Sequence, residues 1–359
     1  MKTKIKNLCN RWFITAFSGM AQGLFCTLIA GTILAQIAGW IGDNYVGNTL
    51  KYIANIAKSM MGAGIGVGIA FALTKNKLLI FSSAVAGFVG AFADKLIVGG
   101  TGLTTLSLGA PGNPVGAYVV TLLVIELVSL YAGKTKLDII LVPLGTMFIA
   151  LGGVFLAYPF IWLITKLGDL IAVATNASPF FMGIFIAVIM GILLTMPTSS
   201  AAIWIAVSSN VSLGNQSAML IAGGAATVGC ACHMVGFAVA SFRENGVGGL
   251  ISQGLGTSML QIPNIMKKPI IMLPMIISSA ICGPLSTCLF KLKCGASGGG
   301  MGTSGLVGVF DLLTNSTGAL EYIGVFVLMF ILPIALNFVI SEFMRKKNWI
   351  KLNDMKLDD

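Results

Sequence analysis

Long apolar runs dominate the chain. They lie near residues 13–41, 51–74, 78–98, 113–132, 137–165, 180–196, 215–241, 270–290 and 318–344. A helix needs about 20 apolar residues to cross the hydrocarbon core of a bilayer. The pattern therefore predicts an all-α polytopic membrane protein. The short run "TSSAAIWIAVSS" at 198–209 completes a further crossing, giving about ten transmembrane helices.

Between these runs lie stretches that are neither span nor ordinary loop. They are "GGTGLTTLSLGAPG" at 99–112, "GVGGLISQGLGTSMLQIPNIM" at 246–266 and "GASGGGMGTSGLVGVFDLLT" at 295–314. Each is rich in Gly, Ser or Thr and nearly uncharged. Irregular backbone at membrane depth is tolerated only where protein buries it or where it lines a wet cavity. The segments 246–266 and 295–314 are accordingly expected to be re-entrant hairpins. Broken segments of this kind often hold substrate in transporters, because freed backbone groups bind polar ligands.

Composition strengthens the membrane reading. Of 359 residues, 56% are hydrophobic and 9% charged, with a mean hydropathy of +0.94. Soluble domains carry about 25% charged residues. No hydrophilic stretch is long enough for a separate soluble domain, so residues 1–359 read as one membrane-embedded domain. The net charge of +10 does not signal nucleic acid. Sixteen of the 22 Lys and Arg residues sit at the N-terminus, at Lys75/Lys77, Lys134/Lys136, Arg243, Lys267/Lys268 and in the C-terminal stretch. Basic residues flank spans on the cytoplasmic side, which places both termini in the cytoplasm. The run from Trp12 to Ile41 is too long for a signal-peptide core and is expected to be retained as the first span. The closing "MRKKNWIKLNDMKLDD" reads as a topological anchor.

The chain also resembles itself. "MGAGIGVGIAFALT" at Met61–Thr74, "MGIFIAVIMGILLT" at Met182–Thr195 and "MGTSGLVGVFDLLT" at Met301–Thr314 start 121 and 119 residues apart. "KLDIILVP" at Lys136–Pro143 matches "KKPIIMLP" at Lys267–Pro274, 131 residues on. Internal repeats are expected from this, as in many secondary transporters.

Chemistry-bearing residues are few. With one histidine and twelve acids, the chain offers no autonomous catalytic site. "GCACH" at Gly229–His233 cannot surround a zinc ion without ligands from elsewhere, so no metal or cofactor is expected. Ionisable groups at membrane depth are functional candidates. Glu126 is either a buried carboxyl facing another helix or a ligand for substrate or proton. His233 either bonds across helices or contacts substrate. Arg243 and Glu244 are expected to pair locally at a span boundary. In "TMPTSSAAI", Pro197 frees a backbone carbonyl, and Thr198, Ser199 and Ser200 either cap the kink or face a ligand. Ser258, Gln261, Asn264, Thr303 and Ser304 are further neutral groups on broken segments. Sugars suit such groups, because hydroxyls both donate and accept.

"GTSMLQIPNIMKKP" at Gly256–Pro269 resembles the signature hairpin of the membrane IIC components of the sugar phosphotransferase system. In the lactose/cellobiose branch that hairpin reads approximately N-E-P, an apolar stretch, then L-P-I-V-M-N-P. With "PTSSAAI" and "GMGTSGLVG", the whole chain looks most like the stand-alone IIC-like branch that includes the PfoR-type toxin regulator. The resemblance implies a bacterial plasma-membrane permease, a homodimer, a sugar site at a re-entrant hairpin and alternating access. A separate IIB protein would supply phosphate. The family's hairpin glutamate falls on Thr257, which can hydrogen-bond but cannot act as a carboxylate base at physiological pH. Two other readings stay open: a membrane sensor or regulator retaining the fold, and an ion- or proton-coupled transporter using Glu126 or His233.

Overall fold

The computed structural model describes residues 7–8, 10–98, 112–196, 200–209 and 211–357. Among the described residues the regular structure is helical throughout, with no strand. The chain divides into two compact units, Met1–Lys166 and Leu167–Asp359.

The first unit contains α1 (Asn10–Ile41), α2 (Tyr45–Ser59), α3 (Met61–Leu73), α4 (Lys77–Ala91) and α5 (Pro114–Val128). It also holds most of α6 (Asp138–Ala177), inside which the unit boundary falls. Asparagines start three of these helices by accepting otherwise unpaired N–H groups. Asn44 takes the Gly47 amide, Asn76 that of Leu79, and Asn113 those of Val115 and Gly116. Helices then meet through small residues. A Cβ on Gly23 of α1 would lie 2.1 Å from the Gly64 carbonyl oxygen of α3. Only glycine permits that approach, the usual device where lipid removes the hydrophobic drive between helices.

The second unit contains α7 (Pro179–Thr195), α8 (Ser200–Ser208), α9 (Leu213–Ala240) and α10 (Phe242–Ile251). It continues with α11 (Ile262–Lys267), α12 (Pro269–Leu289), α13 (Val307–Asn315) and α14 (Ala319–Lys346). Helix α9 is central, with 89% of its apolar window buried. It packs against α7, α12 and α14.

Among the described residues, five helices are each long and apolar enough to cross a membrane: α1, α6, α9, α12 and α14. The expected run 51–74 is instead the α2–α3 pair, bent by 52°, which raises the number to six if counted as one span. Helices α4, α5 and α7 are apolar but shorter, at 15 to 17 residues. Helix α8 has nine residues, or about 13 Å at 1.5 Å per residue, and cannot cross alone. Helix α6 runs on past the expected end at 165 to Ala177. Its 40 residues extend about 60 Å, twice the hydrocarbon thickness.

The first two self-similar stretches fold as α3 and within α7. The third begins as turns and a 3-10 turn at Ser304–Leu306, with Gly302 and Gly305 at φ of +56° and +52°, and becomes α-helical only at Val307. The second pair of matches leads into α6 and α12 in both cases.

Candidate functional site

Two stretches of the second unit leave regular helix. The first lies between α10 and α12. Gly246 breaks the start of α10 with φ +58°, a π-helical turn covers Ser252–Gly256, and Thr257 is extended at φ −159°. A 3-10 turn at Ser258–Gln261 and α11 lead back toward α12. The second runs from Lys291 to Leu306, and Gly298–Thr303 within it are buried.

These two stretches touch. The Thr303 hydroxyl donates to the Gly254 carbonyl, and that of Ser304 to the Gly256 carbonyl at 3.0 Å. Ser200, at the start of α8, donates to the Gly300 carbonyl at 2.7 Å. Thr227 of α9 donates to the Gly298 carbonyl at 3.3 Å, and the Trp204 indole to Gly295 at the same distance. Side chains of the two stretches themselves and of α8 and α9 thus satisfy part of the irregular backbone, as burial requires.

Beside this junction is a polar cluster in an otherwise apolar interior. Thr195, at the end of α7, lies 3.0 Å from His233 Nδ1 and 3.0 Å from Ser258 Oγ. All three side chains are fully buried. His233 Nε2 is buried as well and has no hydrogen-bond partner among the described residues. A Cβ on Gly191 would fall 2.4 Å from the His233 ring, so glycine there makes room for the imidazole. Thr257 is half-buried beside the cluster, and its hydroxyl accepts from the Met259 amide at 3.2 Å.

The expected site residues therefore separate into groups. His233, Thr257, Ser258, Thr303, Ser304 and Ser200 lie along one continuous junction. Gln261 and Asn264 form a second polar chain. Gln261 Nε2 donates to Gln253 at 2.8 Å and to the Met355 carbonyl at 2.9 Å. Asn264 donates to Gln261 at 2.9 Å and to the Lys356 carbonyl at 2.8 Å. Glu126 belongs to the first unit, where its carboxylate accepts from Arg11 at 2.7 Å and from the Trp12 indole at 3.2 Å. Thr198 and Ser199 lie outside the described residues.

Sequence reasoning passed over Thr195, although it quoted the motif that begins with it. A hydroxyl in the last turn before a helix-breaking proline was the available signal. The expected local pair of Arg243 and Glu244 does not form. Each reaches across to α14 instead: Arg243 pairs with Glu342 at 2.9 Å, and Glu244 with Arg345 at 2.8 Å. Adjacent residues on a helix point about 100° apart, so they do not face each other.

Neither the curated proteins nor the solved structures give a match to this chain. The family model described as Phosphotransferase system, EIIC matches residues 14–357, a stretch that includes both irregular segments, and the chain belongs to that family.

Proposed function

We propose that this protein is a IIC-type permease that binds a sugar or sugar-like solute in its second unit and translocates it by alternating access. The observation that carries the reading is the meeting of two irregular segments beside the buried Thr195–His233–Ser258 cluster. The segments 246–266 and 295–314 are taken as re-entrant, with helices too short to cross a bilayer alone completing the crossings. A solute hydroxyl can donate to or accept from His233 Nε2, according to its tautomer, and bond the Thr257 and Ser304 hydroxyls. A plasma-membrane location with cytoplasmic termini, a homodimeric assembly and a IIB-type phosphate donor complete the proposal.

Thermal unfolding of the purified full-length protein against hexoses, N-acetylhexosamines and hexitols tests it. One sugar class should raise the melting temperature of the wild type and fail to do so for His233→Ala. If none of the panel stabilises the wild type, the sugar site is wrong.

A second reading has one specific observation in its favour. Thr257 offers a hydroxyl where the family hairpin carries glutamate, and that hydroxyl already caps the Met259 amide. Binding without phosphate transfer, in a sensor that signals through a partner, would need no carboxylate there. Uptake into proteoliposomes separates the two: a permease accumulates or equilibrates the stabilising sugar, and a sensor does not.

A further inference from the structure

We propose that Lys347–Leu357 is a displaceable strap that holds the first irregular segment closed, so that this segment opens only when the strap is released. The proposal builds on the reading of that segment as part of a sugar site, but its first test does not depend on it.

The strap runs back from the end of α14. Most of its residues are exposed, yet Ile350 and Met355 are 1% and 0% exposed. Those two side chains enter an apolar cluster with Phe237 of α9, Ile265 of α11, and Ile271 and Met275 of α12. Asn348 and Asn353 turn the chain with φ of +59° and +72°, conformations that asparagine tolerates better than most residues. Asp354 pairs with Lys268 at 2.6 Å, at the hinge between α11 and α12.

Most of the strap's hydrogen bonds around the segment are of one kind. Its backbone carbonyls accept from side-chain amides: Met355 from Gln261 and Asn245, and Lys356 from Asn264. Asn245 also accepts from the Leu357 amide at 2.8 Å. A carbonyl oxygen and a sugar hydroxyl oxygen are equivalent acceptors for an amide N–H. The strap therefore satisfies donors that a polyhydroxylated solute would otherwise satisfy. It grips through two apolar anchors, these four hydrogen bonds and one partly exposed ion pair, all of them non-covalent contacts that can exchange.

Hydrogen exchange of the full-length protein in lipid nanodiscs tests the strap directly. Met355→Ala combined with Asp354→Asn should speed exchange of the amides of Ile262 and Asn264–Lys267 at least tenfold and leave those of α9 unchanged. Should the double variant fail to fold, Lys268→Asp keeps the apolar anchors. It should speed exchange alone, and Asp354→Lys added to it should restore the slow rate. Rates within twofold of wild type in every variant would overturn the proposal. The second arm uses glucose, N-acetylglucosamine and mannitol as probes. A sugar that stabilises the wild type should bind the strap variants at least threefold more tightly, and weaker binding would overturn the closing role. If no sugar stabilises either protein, the sugar-site reading fails and exchange alone decides the strap.

Discussion

Both units close apolar helices on one another through glycine, but they differ in what they bury. In the first, four polar side chains are buried among the described residues. Its long-range ion pair Arg11–Glu126 is 37% and 31% exposed. Among its described residues the second unit buries eighteen polar side chains, and the Glu244 side chain of its Glu244–Arg345 pair is wholly buried. Buried polar groups must find partners or carry a desolvation cost. The second unit meets that cost with hydroxyl and amide networks along irregular backbone. In the proposed reading the first unit serves as a scaffold and the second holds the groups that recognise a polar solute.

That contrast can be broken by mutation. The largest effect is expected for Arg345→Ala, which leaves the Glu244 carboxylate buried without its cation. Loss of one partner of a buried pair typically costs about 3–5 kcal/mol, measurable by unfolding in detergent. Gly23→Val in the first unit should cost about 1–3 kcal/mol, because its Cβ would overlap the Gly64 backbone. Thr195→Val should cost about 1 kcal/mol through its lost hydrogen bonds. It should also abolish sugar-dependent stabilisation, which Gly23→Val should not. Arg11→Ala removes a half-exposed pair and should cost under about 1 kcal/mol. A large loss of sugar response in that variant would undo the division of labour between the units.

The smallest effect concerns pH. Burial pushes the Asp354 carboxyl up, but the Lys268 ammonium and the Lys351 amide and charge outweigh it and hold the group below its usual 3.8. A lowered carboxyl contributes its full stabilisation above the unfolded value and loses it as pH falls through the lower folded value. Exchange at 262–267 should therefore keep the same protection factor from pH 8 to about pH 5, with this carboxyl contributing a loss only near and below 3.8. Release between pH 7 and 5 would mean that another group governs the strap.

The fold class was legible because apolar runs of span length need no tertiary information. The two irregular segments were legible too, since Gly, Ser and Thr without charge mark backbone that protein must bury. The partners of those groups were not. The α2–α3 bend at Met60 has no proline to announce it. Ile350 and Met355 are five residues apart among lysines and asparagines, a spacing that fits neither helix nor strand, so their stretch read only as an anchor. Arg243 and Glu244 find partners about a hundred residues away. Gln261 and Asn264 read as hydrogen-bonding candidates for a substrate, but periodicity cannot say that a neighbouring carbonyl already takes their amides.

Trp204 offers an optical handle on the junction. The chain has five tryptophans, and Trp204 is the buried one, 3% exposed, while Trp40, Trp162 and Trp349 are about half exposed and Trp12 is intermediate. Its indole lies so close to Gly299 that a Cβ there would come within 2.0 Å of Nε1. Emission from a variant retaining Trp204 alone would report directly on the 291–306 backbone. Movement of Gly295 or Gly299 that admits water would shift the fluorescence to longer wavelength, whereas brominated lipid would leave it unquenched.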